Sequence, residues 1–374
     1  MALISISQLK KLFTLLWIIL IEFIIQVLLI QIKLDNNNVF SIMLCVITLS
    51  SIIAIILSVV YQNVSKKKNN NINIDIPITS LGDNISNYFF LFLNGVFETI
   101  KYFTYYETRR IGYSYMVNYL YMESSIKLSI FIISIPAFIL LFKMKFYIHH
   151  YIAFGIIVIG IVLSGIFAFV GANEDYFDLS SSTLMLRMLL AYSGFGLLSN
   201  NAKKYMLTNR KANDIPLYIF QAIIGCIFTV YYAVGKESKS FIEELNKHYL
   251  IIIVLSIALS VSMLMKNIII NQFSVLPLTI NEGFMYIFYL MYLKLNDKDQ
   301  LYEVFFSSKD YYVISFILIL IGSIILNEIL VIPCFGLDSH TEEKMLEEKI
   351  LKDIDNIDHT KLNGNELSND KVLG

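Results

Sequence analysis

Residues 39–61, VFSIMLCVITLSSIIAIILSVVY, carry no charged side chain and no proline. At ~1.5 Å per residue, a helix of that length crosses a hydrocarbon core about 30 Å thick. Similar apolar runs lie on both sides of it: 12–32 before, then 88–106, 112–142, 148–170, 182–200, 213–234, 249–270, 272–293 and 311–332. Short polar segments separate them, which means repeated crossing and not a single anchor. The expected fold is therefore all-α: a polytopic membrane protein of about ten transmembrane helices. Composition agrees, with 56% of the 374 residues hydrophobic and only 16% charged, where a soluble domain carries about 25% charged residues.

The third and fourth runs are rich in tyrosine and hold charges, so their apolar ends are not sharply bounded. Pro136 lies inside the long fourth run, where it tilts or kinks a helix; a full break there gives eleven segments. The first run follows Lys10 and Lys11, but no small-residue cleavage site follows it, so a retained first helix is expected. Cys45, Cys226 and Cys334 all sit in apolar runs, as small packed residues do, and not in the pattern of a secreted disulfide framework.

Loop charge orients the chain, since Lys and Arg near helix ends stay on the cytosolic side. One set of loops holds Lys10/Lys11, Lys66/Lys67/Lys68, Lys143/Lys145 and Lys203/Lys204/Arg210/Lys211; the alternate set includes the acidic Glu174/Asp175/Asp178. Both termini are then cytosolic. Arg109 and Arg110 fall on the opposite side from the other clusters. The sequons at Asn63 and Asn84 fall at a cytosolic loop, 64–87, and are expected to carry no glycan. After Pro333 the chain turns polar, with one short helix expected at 340–352.

Eight ionisable residues fall at membrane depth: Glu22, Glu98, Lys101, Glu123, Lys127, Arg187, Lys266 and Glu282. Each costs ~2.5–3.5 kcal/mol when left to lipid, so together they would cost on the order of 20 kcal/mol. They must face one another or water. At 100° per residue, Asn94, Glu98, Lys101 and Tyr105 fall within about 60° of arc on one helix. Tyr115, Tyr119, Glu123 and Lys127 follow one face of the next run, and Thr279, Glu282, Tyr286 and Tyr289 one face of the ninth. Weaker stripes are Glu22 with Gln26, Tyr218 with Gln221, Gly225 and Tyr232, and Ser256 with Ser260 and Asn267. Glu98 with Lys101 and Glu123 with Lys127 are spaced to neutralise each other within one helix. Arg187 and Lys266 lie near helix ends, within snorkelling reach of the interface. Glu282 is near the middle of its run with no basic residue three or four positions away, which marks it for function.

The fifth and tenth runs align when Gly160 is set against Gly322, which places Ala153 against Ser315 and Phe154 against Phe316. A repeat of five crossings, an odd number, inserts its second copy upside down. Residues 199–225, SNNAKKYMLTNRKANDIPLYIFQAIIG, with 270–297, INQFSVLPLTINEGFMYIFYLMYLKLND, and 311–330, YYVISFILILIGSIILNEIL, resemble the drug/metabolite transporter superfamily. The last two are similar to the closing pair in its nucleotide-sugar and chloroquine-resistance-transporter branches, and 138–165, FILLFKMKFYIHHYIAFGIIVIGIVLSG, to the corresponding pair of the first half. The resemblance is one of layout over about 12–332. The fourth-run Gln- and Lys-containing signature of nucleotide-sugar transporters has no clean counterpart in MVNYLYMESSIKLSIF, 116–131, where Lys127 comes nearest.

That resemblance implies two inverted five-helix repeats, 1–170 and 171–335, around a central cavity, followed by a cytosolic tail, 336–374. It implies alternating-access transport of a small organic solute across an internal membrane, such as a nucleotide sugar or another anionic metabolite. Amino acids, peptides or cationic drugs are the alternative cargo. Expected cavity residues are Glu282, Glu98, Lys101, Glu123, Lys127, Asn94, Tyr105, Tyr119 and Tyr286. A substrate and the bilayer are the expected partners, with a homodimer left open and no nucleic acid, cofactor or metal. A lipid-modifying enzyme is a weaker reading, because the adjacent His149/His150 lie in a short loop without an acidic motif beside them. A receptor or scaffold fits the intramembrane charges less well. Replacing Glu282 by Gln is expected to change the transport rate or its pH dependence in liposomes; an unaltered profile would remove Glu282 from the mechanism.

Overall fold

The structure is a computed structural model that describes residues 6–31, 39–68, 85–113, 136, 140, 146–170, 179–209, 212–235, 238–272, 278 and 310–329. Among these residues the regular elements are helices, and no strand occurs. In chain order they are α1 (Ile6–Gln31), α2 (Val39–Lys68), α3 (Ile85–Tyr113), α4 (Ile148–Val170), α5 (Leu179–Lys204), α6 (Asp214–Gly235), α7 (Ser238–Gln272) and α8 (Asp310–Leu326). A π-helical turn, Tyr205–Asn209, continues α5. Four of these helices contain stretches long and apolar enough to cross a membrane: Leu12–Leu29, Ser41–Ser65, Asp214–Gly235 and Leu245–Ile270. The fourth and ninth apolar runs lie outside the described residues except for Gly112, Tyr113, Pro136, Leu140, Gln272 and Leu278, as does the tail after Ile329.

Several helices outrun the apolar stretches that announce them. Helix α2 continues through Lys66, Lys67 and Lys68, and α3 through Arg109 and Arg110, so Asn63 and both arginines are helical and not in loops. Residues 238–247, which lie between the seventh and eighth apolar runs, form the first part of α7, which bends at His248 (φ −115, ψ 15). Helix α8 ends earlier than its apolar run, at Leu326.

The arrangement of side chains is inverted relative to a soluble protein. On α1, Phe13, Trp17, Leu20 and Ile24 are exposed, while the polar Glu22 and Gln26 are buried. An apolar outer face and a polar inner one suit a hydrocarbon solvent. The helices meet through small residues and hydroxyls, as expected where lipid gives no hydrophobic push between them. Ser260 donates to the Ser50 carbonyl at 2.7 Å, joining α7 to α2. A Cβ on Gly95 would lie 3.1 Å from the Phe220 carbonyl oxygen, so α3 approaches α6 backbone to backbone.

The tightest approach is between α4 and α8. A Cβ on Gly160 would come within 2.8 Å of the Ser315 carbonyl oxygen and 2.7 Å of Ile319; one on Gly322 would come within 2.9 Å of the Ala153 oxygen and 2.6 Å of Ile157. Ala153 and Ile157 stand to Gly160 in sequence as Ser315 and Ile319 stand to Gly322. The register runs in opposite directions, so the pair is antiparallel and locally two-fold symmetric. One hydroxyl breaks the symmetry: Ser315 donates to the Gly160 carbonyl at 2.8 Å, where Ala153 has none to offer.

The other extensive contacts join α3 with α5, α1 with α7, α2 with α7, α3 with α6, α2 with α6, α2 with α3, and α6 with α7. Exchanging α1, α2, α3 and α4 for α5, α6, α7 and α8 respectively turns this set into itself. Substituting Ala for Gly160 or Gly322 is expected to cost about 1–3 kcal/mol each, the range for overpacking a filled contact. Gly155, with nothing within 4 Å of an added Cβ, is the control that thermal unfolding in detergent should find unaffected.

Candidate functional site

The polar face of α3 forms as its spacing predicts. Asn94, Glu98 and Tyr105 are buried, and Lys101 Nζ bonds Glu98 Oε1 at 2.6 Å. The carboxylate also reaches α5: Lys203 Nζ donates to the same oxygen at 3.0 Å, and the Ser199 hydroxyl donates to Oε2. Asn94 donates to the Ser199 carbonyl at 3.1 Å, which fixes the two helices at that level. Ser199 and Lys203 are four residues apart, so one helical face presents both donors to one carboxylate.

The same device recurs between α1 and α7. Ser262 and Lys266, again four apart, both bond Glu22 Oε1. Under the helix exchange described above, the α1–α7 pair corresponds to the α5–α3 pair. The acid and the Ser-x-x-x-Lys face have changed places: Glu is on α1 and α3, the donors on α7 and α5.

Between the two clusters lies a cavity of about 70 Å³, room for a few waters on the scale of ~10–15 Å³ each. Glu22, Gln26, Lys101 and Lys266 supply its polar wall, Tyr102, Tyr105, Tyr106 and Tyr192 its aromatic wall, and Ile25, Leu29 and Leu259 the rest. Gln26 Nε2 donates to the Tyr105 hydroxyl at 3.4 Å. Lys101 Nζ stands 4.7 Å above the Tyr102 ring, and the rings of Tyr105 and Tyr192 are 5.4 Å apart. Glu98 is shared by Lys101 and Lys203, and the Asp214 carboxylate of α6 also acts on Lys203. The cavity wall itself carries two ammoniums, Lys101 and Lys266, and one carboxylate, Glu22; in a medium of low dielectric such ammoniums attract an anion strongly.

Of the expected cavity residues, Lys101 and Tyr105 line it, while Glu98 sits behind Lys101 and holds it. Asn94 belongs to the α3–α5 contact and not to the cavity wall. Glu123, Lys127, Tyr119, Glu282 and Tyr286 lie outside the described residues. Lys203, grouped by sequence with a basic loop, is instead buried, because α5 continues to Lys204 and carries its ammonium inward. The Ser199/Lys203 spacing was the signal that would have shown it. Lys266, within snorkelling reach by position, is tied to Glu22; Arg187 is exposed. Tyr102, Tyr106 and Tyr192 carried no signal to separate them from packing tyrosines.

Removing the shared carboxylate with Glu98→Leu is expected to destabilise by about 3–5 kcal/mol, since two ammoniums lose their counter-charge. Lys203→Met should be mild, because Glu98 keeps Lys101. Thermal unfolding of the two variants in detergent checks this; equal losses would contradict the sharing. Compared with known proteins, the chain matches no family model and no curated sequence.

Proposed function

We propose that this chain is a secondary transporter that moves a small organic anion across a membrane by alternating access. The observation that carries the reading is the pair of buried Glu/Ser/Lys clusters flanking a tyrosine-walled cavity that the ammoniums of Lys101 and Lys266 also line. Buried ionic groups are expensive at membrane depth, and a fold held by packing alone would need none of them. A cavity lined by ammoniums and flat aromatic rings suits a solute with an anionic group and a planar or apolar body.

The architecture proposed is ten crossings in two inverted five-helix repeats, 1–170 and 171–335. The antiparallel two-fold contact of Gly160 and Gly322, and a set of helix contacts that maps onto itself when the halves are exchanged, support it. Inverted repeats give alternating access a physical basis, because two conformations related by swapping the halves have nearly the same energy. The proposed location is an internal membrane, as the resemblance implies; the cytosolic placement of the termini rests on the basic clusters Lys10/Lys11, Lys66/Lys67/Lys68, Lys143/Lys145 and Arg210/Lys211.

The test is uptake by the full-length protein in liposomes, against nucleotide sugars, phosphorylated metabolites, carboxylates, amino acids and organic cations. Saturable uptake of an anionic class is expected, falling about tenfold or more in Lys101→Met, the usual size of a lost charged hydrogen bond. Uptake confined to cations, or anion uptake indifferent to Lys101, would refute the reading.

A further inference from the structure

Helix α8 stops in a turn that geometry would assign to glycine. Ile329 N–H bonds the Ile324 carbonyl at 3.1 Å and Glu328 N–H the Ile325 carbonyl at 3.0 Å, the paired bonds of a Schellman ending. The first residue past the helix end adopts the left-handed conformation in such a turn, and here it is Glu328, at φ 55, the one non-glycine residue with positive φ among those described. Glycine takes that conformation freely, whereas a residue with a Cβ is strained in it. The chain keeps a carboxylate at this position, and the antiparallel packing of α4 and α8 brings it to the first turn of α4. Glu328 Oε1 lies 3.1 Å from His149 Nε2 and 3.4 Å from His150 Nε2. His149 is buried and the other two are nearly so.

Helix packing does not require this trio. The two-fold register that pairs Gly160 with Gly322 pairs His149 and His150 with Tyr311 and Tyr312, and Glu328 with Ile166. The two-fold relation of the helices therefore does not itself call for histidines or a glutamate at these positions.

We propose that His149, His150 and Glu328 form a binding site for a first-row divalent cation, with Zn²⁺ the best match to two imidazoles and one carboxylate. The ligand atoms of all three lie within 4.8 Å of one another. A tetrahedral ion with bonds of ~2.0–2.1 Å sets its ligand atoms about 3.3–3.4 Å apart, close to the two distances to Glu328. One ligand must adjust: His150 Nδ1 accepts the Tyr147 N–H at 3.1 Å, so ligation through Nε2 moves the ring proton to Nδ1 and opens that contact. Three protein ligands leave a fourth position for water or another donor. The bound ion would join the start of α4 to the end of α8, residues far apart in sequence. None of the three lines the cavity, so the site stands whatever the transport reading becomes.

Titration calorimetry with Zn²⁺ on the full-length protein in detergent, its affinity tag removed, and visible absorption with Co²⁺ in its place, test the site. One equivalent is expected to bind, with a tetrahedral Co²⁺ spectrum. His149→Ala and Glu328→Gly should each weaken it by more than the ~10–100-fold that loss of an outer-shell partner costs. Glycine suits the turn, so Glu328→Gly should keep or raise the metal-free melting temperature, separating lost ligation from lost fold. His248→Ala should bind as the unaltered protein does. No binding to the unaltered protein, or binding that persists in both ligand variants, overturns the proposal.

Discussion

A carboxylate held at membrane depth has to find its counter-charges inside the protein, because lipid supplies neither water nor ions. Glu98 and Glu22 meet that demand in the same way, each gripped by a serine and a lysine four residues apart on a neighbouring helix. Much of the central packing follows from the requirement. Helix α5 has to approach α3 closely enough for Ser199 and Lys203 to reach one oxygen pair, and α7 has to do the same for α1. The tyrosines fill the space between the two clusters, where their rings tolerate an apolar wall and their hydroxyls a polar one.

Exchanging α1 with α5 and α3 with α7 relates the two clusters, yet their charges are reversed: α1 and α3 offer the acids where α5 and α7 offer the serine and lysine. A symmetric scaffold can thus carry an asymmetric field. Lys101 adds to that asymmetry, since it joins Lys203 on a single carboxylate.

Between α4 and α8 the constraint is steric and not electrostatic. Two glycines let the backbones close to a distance that any Cβ would prevent, and in lipid such contact is a main source of helix association. Once this antiparallel register is set, the ends of the pair are free to differ. One end carries two histidines and a strained glutamate, the other tyrosines and an isoleucine.

Sequence by itself determined the helical class, most of the helix positions, the polar face of α3 and the Glu98/Lys101 pair. These depend on local periodicity and on the cost of a charge in lipid, both legible within one segment. Even the Gly160/Gly322 alignment was visible there, though not that each glycine packs against the other's helix. Tertiary structure decided which carboxylate each lysine serves. Lys203 reads as a loop cation until α5 is seen to continue inward, and Lys266 as a snorkelling one until α1 packs against α7. The histidines are the clearest case: their acidic neighbour is 178 or more residues away in the chain, and only the antiparallel contact of α4 with α8 supplies it. Pairing between segments follows from how helices pack, and helical periodicity carries no record of that.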